Sequence, residues 1–130
     1  MREKILVVED DPAALRLVSF TLESAGYEVI PAANGIEGLR KAQEEAPDLL
    51  VLDLMLPGID GYEICHRLRS DPAGRERRLP ILMLTAKSRE ADRAMAEKMG
   101  VDLYLSKPVT PEEITAAVHS LLSQRQEKHA

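Results

Sequence analysis

Hydrophobic positions along the chain follow two alternating periods. Four short runs rich in branched apolar residues, at positions 5–8, 49–52, 81–84 and, more mixed, 103–106, read as strands by their length and branching. A fifth segment, Tyr27-Glu28-Val29-Ile30, is half polar and follows Gly26, the pattern of a strand at a sheet edge. Between these runs, apolar residues recur at helical spacing: Leu15, Val18 and Leu22; Ile36 and Leu39; Ile64 and Leu68; Ala91, Met95 and Met99; Ile114, Val118, Leu121 and Leu122. Met95 and Met99 are thereby assigned to the core, as is Cys65. Asp11-Pro12 supplies an N-cap and a proline at the first helical position, Gly26 and Gly100 close two helices, and Thr110-Pro111-Glu112-Glu113 opens the last with a capping box. Strand and helix alternate five times, which predicts an α/β domain of (βα)5 form: a five-stranded parallel sheet, doubly wound by helices on both faces.

A length of 130 residues with 45% hydrophobic content suits one self-supporting domain. The expected division is a domain over residues 1–123 and a polar tail over 124–130, with no output domain attached unless the chain is part of a longer one. Cys65 has no disulfide partner and no Cys/His set has zinc spacing, so the cytoplasm is the expected compartment. His66, His119 and His129 receive no role. The net charge of -5, with basic residues scattered except for Arg75, Arg77 and Arg78, argues against a nucleic-acid groove; that trio reads as a solvated loop. The apolar stretch after Met1-Arg2-Glu3-Lys4 is too short for a signal segment or a membrane span.

The chemistry lies where polar residues meet the ends of the apolar runs. Glu9, Asp10 and Asp11 follow the first strand, Asp53 ends the third, Thr85 ends the fourth, and Lys107 follows the fifth. In a parallel sheet all strand C-termini share one edge, and ligands bind there where the strand order reverses. Several carboxylates gathered in one crevice require positive charge, and oxygen-only donors favour Mg²⁺ or Mn²⁺. A bound cation together with Lys107 would admit a phosphoryl group, to which Thr85 can donate a hydrogen bond. Asp53 is then placed to attack phosphorus as a carboxylate nucleophile.

Four strings carry a family resemblance: Ile-Leu-Val-Val-Glu-Asp-Asp at 5–11, Leu-Asp-Leu-Met-Leu-Pro-Gly at 52–58, Leu-Thr-Ala at 84–86 and Leu-Ser-Lys-Pro at 105–108. In this order and at these strand ends the chain resembles the CheY-like receiver domain of two-component response regulators over about residues 4–123. The resemblance implies a flavodoxin-like sheet of order 2-1-3-4-5. It implies that Asp10 binds Mg²⁺ directly and Glu9 through water, with Asp11 as flanking acid and helix cap. Asp53 would be the phospho-acceptor and a metal ligand, and the backbone carbonyl of Met55 a further ligand. Lys107 would pair with the phosphoryl group, aimed by a cis bond to Pro108. Thr85 and Tyr104 match the family's switch pair, and the small Ala86 leaves the site open to a donor. The implied partners are a histidine kinase or phosphotransfer protein as phosphodonor and an output protein. The chain would catalyse its own phosphorylation, and slow autodephosphorylation, by positioning and charge neutralisation.

Alternative chemistries fit less well. A phosphohydrolase of the haloacid-dehalogenase type needs an acid two positions after its nucleophile, where this chain has Met55. A flavin carrier would present hydroxyls and amides in its first loop rather than Glu9-Asp10-Asp11. An adaptor independent of phosphorylation would have lost some of the acids or the lysine. The resemblance also leads one to expect an acid before the switch aromatic, as in the subfamily that dimerises through its fourth helix, fifth strand and fifth helix. Here Leu103 stands there, and Ala117 and Val118 fall where basic partners are expected. The face around Arg93, Leu103 and Tyr104 is therefore expected to bind a different protein, with the oligomeric state open.

Overall fold

The computed structural model describes residues 2–71, 78–86 and 89–129, with side chains as far as Gln124. Among the described residues, five strands and five helices alternate: β1 (Lys4–Val8), α1 (Pro12–Ser24), β2 (Glu28–Ala32), α2 (Gly35–Glu44), β3 (Leu49–Asp53), α3 (Gly61–Ser70), β4 (Ile81–Thr85), α4 (Glu90–Lys98), β5 (Leu103–Ser106) and α5 (Pro111–His129). All strand pairs are parallel, in the order β2-β1-β3-β4-β5. The expected fold is present, with the half-polar strand β2 at one edge.

Alternation along the strands divides the core in two. Leu6, Val8, Leu50, Leu52, Ile81, Met83 and Tyr104 face α2, α3 and α4, whereas Ile5, Val7, Leu49, Val51, Leu82 and Leu84 face α1 and α5. The three central strands are buried almost throughout, as a sheet covered on both faces requires. Cys65 lies fully buried in the first of these layers, where burial pushes its thiol up to about 12.

Helix ends follow their local chemistry. Asp11 accepts from Ala14 N–H at 3.3 Å, and Thr110 Oγ1 accepts from Glu113 N–H at 3.1 Å, as the capping signals require. Asn34 and Asp60 cap α2 and α3 in the same way. Gly26 and Gly100 adopt φ of +100° and +88° just beyond α1 and α4, a region that other residues rarely enter.

Several expectations need correction. Ile36 is 67% exposed, because α2 turns Gly35 and Gly38 to the core; at Gly38 a Cβ would meet Val8 Cγ2 at 2.6 Å. On α4, Ala91 and Met95 point outward, Met99 is partly buried, and Ala96 is the buried residue. By contrast, Val118 is buried as its apolar spacing predicts, with Ala117 beside it among the residues facing α1. The segment read as a tail continues the α5 backbone to His129. Arg78 is ion-paired to Asp102 rather than merely solvated, while Arg75 and Arg77 lie outside the described residues. No helix among the described residues is long and apolar enough to cross a membrane.

Candidate functional site

The C-terminal rim of β1, β3 and β5 assembles the site. β1 and β3 are adjacent in the sheet, and β1 separates β3 from β2, so the chain reverses direction of travel across the sheet at β1 and β3. A crevice opens at such a reversal. Glu9 leaves β1 with its N–H bonded to the Ala32 carbonyl at 3.0 Å, Asp53 is the last residue of β3, and Lys107 directly follows β5. The Lys107 N–H donates to the Thr85 carbonyl at 2.7 Å, extending the β4–β5 ladder by one step. The Lys107–Pro108 bond is cis, as the family resemblance implies.

Side chains then converge. Lys107 Nζ lies 3.1 Å from Asp53 Oδ2 and 3.4 Å from Glu9 Oε1. The other Asp53 oxygen accepts from the Met55 N–H at 2.9 Å, which fixes the carboxylate from the loop side. Glu9, Asp10 and Asp53 each offer a carboxylate oxygen, and the three oxygens lie within 4.8 Å of one another. Glu9 and Asp53 are 6% and 8% exposed, and Asp10 is open to solvent. This set is made of hard oxygen donors with one solvent-facing member, which fits Mg²⁺.

Electrostatics show how poorly the anions tolerate one another. The Glu9 carboxyl is pushed up to about 8, first by burial, then by the hydrogen bond its protonated form makes with Asp53 and by the Asp53 charge; Lys107 opposes this. Burial pulls the Lys107 ammonium down, but the hydrogen bond and charge of Asp53, and then those of Glu9, outweigh it and leave the group above its ordinary value. One lysine therefore does not cancel the repulsion, and Glu9 holds its proton more tightly than an ordinary glutamate. A further cation at this trio would offset that repulsion.

Beside these charges, a cavity of about 520 Å³ between α1 and the β5–α5 connection is lined by Glu9, Asp11, Asp53 and Lys107 at its polar end. Asp11 lies outside the carboxylate trio and caps α1. Thr85 is fully buried and Tyr104 is 9% exposed; by strand parity both belong to the sheet face toward α3 and α4, whereas Asp53 follows Val51 on the other face. Met55 is 54% exposed, with its backbone beside Asp53.

One supporting residue had no signal in the sequence. Gly61, the first residue of α3, packs so closely under the site that a Cβ there would meet Leu54 Cα at 2.8 Å and the Asp53 carbonyl at 3.0 Å. Both are backbone atoms, so Gly61→Ala is expected to displace the end of β3 and cost about 1–3 kcal/mol. Urea denaturation of the variant checks this, and an unchanged midpoint would show that the loop yields freely.

Comparison with known proteins places the chain in a family. A family model described as response regulator receiver domain matches residues 5–119, and the chain belongs to that family. It is 46% identical over 122 residues to the alkaline phosphatase synthesis transcriptional regulatory protein PhoP of Bacillus subtilis, covering 94% of this chain and 49% of that protein. The chain thus spans about half the length of the curated relatives it matches. Among solved structures, a putative response regulator from Chloroflexus aurantiacus has a TM-score of 0.88 at 38% identity, covering 95% of this chain and 99% of that one. The receiver domain of a sensor histidine kinase from Pseudomonas aeruginosa, with a magnesium ion coordinated in its active-site cleft, has a TM-score of 0.85 at 32% identity over the same shares.

Proposed function

We propose that Asp53 accepts a phosphoryl group from a histidine kinase or phosphotransfer protein, with Mg²⁺ as cofactor. The observation that carries this reading is the Asp53 carboxylate, nearly buried, with Lys107 Nζ at 3.1 Å and the Glu9 and Asp10 oxygens beside it. A carboxylate oxygen of Asp53 bonds to phosphorus as the bond from phosphorus to the donor nitrogen breaks, leaving an acyl phosphate and a histidine that keeps the nitrogen electron pair. Lys107 offsets charge on the phosphoryl oxygens, and the Met55 N–H holds the second Asp53 oxygen in place. Asp10 and Asp53, with the Met55 carbonyl and Glu9 through water, would hold Mg²⁺, whose chemistry there is charge compensation between carboxylates and phosphoryl group. The magnesium-bearing receiver from Pseudomonas aeruginosa supports that assignment.

Thr85 and Tyr104 form the proposed switch, and the cytoplasm is the proposed compartment. The test is intact mass after treatment with acetyl phosphate, with and without Mg²⁺. A gain of one phosphoryl group is expected only with the metal, and none in Asp53→Asn; equal uptake by that variant would overturn the reading. A hydrolase reading finds no support, because Met55 offers no proton where a general acid is needed.

The proposed output surface surrounds Arg93, whose guanidinium lies 5.2 Å from the Tyr104 ring centroid and whose Nη2 lies 3.3 Å from Ser106 Oγ. Leu103, next to Tyr104 on β5, is half-buried against the opposite layer that faces α1 and α5, so the surface is drawn around Arg93 and Tyr104. Arg93→Glu is expected to weaken capture of an output protein, or self-association, in the phosphorylated state. Pull-down and light scattering check this, and an Arg93→Glu chain matching the native one in both would remove this face from consideration.

A further inference from the structure

Of the five described helices, α4 has the thinnest attachment to the core. Of its nine residues only Ala96 is buried, whereas α3 buries Gly61, Ile64, Cys65 and Leu68. Its N-cap residue, Arg89, makes no side-chain capping hydrogen bond, unlike Asp11, Asn34, Asp60 and Thr110 at the other four helices. A helix that buries one alanine gains little from removing apolar surface from water, and such elements lie at the low-stability end of a fold. Polar attachments must therefore contribute heavily to its position. Arg93 joins it to β5, and from α3 the Tyr62 phenol donates to the Asp92 carbonyl at 3.1 Å.

Tyr62 is one residue from the site's floor. Gly61 lies against the Asp53 carbonyl and Leu54 Cα, and its N–H donates to the Leu54 carbonyl at 2.9 Å. The Tyr62 ring is partly buried against the core, which fixes its direction. Its phenol is held above its ordinary pKa by burial first and then by the Asp92 charge, so it stays a donor at neutral pH. The helix ladder assigns the same Asp92 carbonyl to the amide of Ala96, the residue that α4 buries. A short, stiff route thus leads from the end of β3 through Gly61 and the phenol into the one anchored turn of α4.

We propose that Tyr62 is the positioning residue that ties α4 to the acidic site, its bond to Asp92 setting where α4 rests and passing displacement of the β3–α3 loop on to it. This rests on the reading of Asp53 as phospho-acceptor. Tyr62→Phe keeps the ring and removes only the donor. Amide hydrogen exchange of the full chain, before and after acetyl phosphate with Mg²⁺, tests the tie, with intact mass measured on the same samples. In the unmodified variant, exchange at residues 94–98 is expected to accelerate about three- to tenfold, the scale of one lost hydrogen bond, while α1 and β3 are unchanged. Phosphoryl uptake stays native, and the response of α4 to phosphorylation shrinks. Unchanged α4 exchange, acceleration spread equally over α1, β3 and α4, or a phosphorylation response of native size would each overturn the tie. Absence of uptake by the native chain would overturn the Asp53 reading instead, and the unmodified comparison would still decide whether Tyr62 holds α4.

Discussion

Lys107→Ala is expected to destabilise the metal-free protein by about 1 kcal/mol near pH 6 and about 2–3 kcal/mol near pH 9. The pH dependence follows from the two groups that Lys107 touches. Glu9, raised from 4.5 to about 8, binds a proton more readily when folded, so it favours the folded state at low pH and loses that contribution as pH rises from 4.5 through 8. Lys107, raised above 10.5, contributes stability below 10.5 that is lost as pH climbs through its folded value. Between about 8 and 10.5 the lysine is still charged while Glu9 has given up its proton, so its removal leaves buried anionic Glu9 beside Asp53 with nothing to offset it. This loss lies below the roughly 3–5 kcal/mol typical of a broken buried pair because the Lys107 side chain is 31% exposed. Urea denaturation in EDTA at pH 6, 7.5 and 9 measures the difference. A loss that stays flat or narrows toward pH 9 would mean that the ammonium does not hold the two acids together.

The charged rim was legible in the sequence for a physical reason. In a parallel alternating fold, the residue that ends each apolar run is delivered to the same edge whatever the loops do, so Glu9, Asp53 and Lys107 could be brought together from order alone. The strand order itself came only with the family resemblance, since alternation fixes parallelism but not which strand is central. Helix faces were harder to read. On α4 the apolar spacing pointed to Ala91, Met95 and Met99, yet a small side chain, Ala96, is what lets the helix approach the sheet. On α2 the absence of side chains at Gly35 and Gly38 determines the buried face, and hydrophobic periodicity does not register an absence. Gly61 and Tyr62 escaped for a related reason: each matters through backbone or hydroxyl contacts with residues distant in sequence or hidden in a loop.

Asp102 shows the same gap at the opposite edge of the sheet, and its removal carries the other large effect. It precedes β5 with no local signal, because its partners are 21 to 33 residues away. One carboxylate oxygen accepts from the Ile81 N–H at 2.8 Å and from Arg69 Nη2 at 3.1 Å, the other pairs with Arg78, and the Asp102 N–H returns a bond to the Ile81 carbonyl at 3.0 Å. Arg69 also donates to the Gly100 carbonyl, and its guanidinium is held below its ordinary pKa by burial first and by the Arg78 charge next, with Asp102 acting against both. Asp102→Ala would leave the N–H of fully buried Ile81 without this acceptor and set two guanidinium groups beside each other without their shared anion. An orphaned donor costs about 1–3 kcal/mol, and an uncompensated, partly buried charge adds to it, so a total loss of about 3–4 kcal/mol is expected. Asp102→Asn keeps an acceptor for Ile81 and should recover about half of that loss. Because the node sits where β4 and β5 begin, phosphoryl uptake at the far rim should survive at native extent in whatever fraction remains folded. Urea denaturation of both variants in low and high salt separates the contributions: the Arg78 share is exposed and screened, whereas the Ile81 share is not. Equal losses for Asp102→Ala and Asp102→Asn would assign the whole effect to the lost charge and none to the β4 donor.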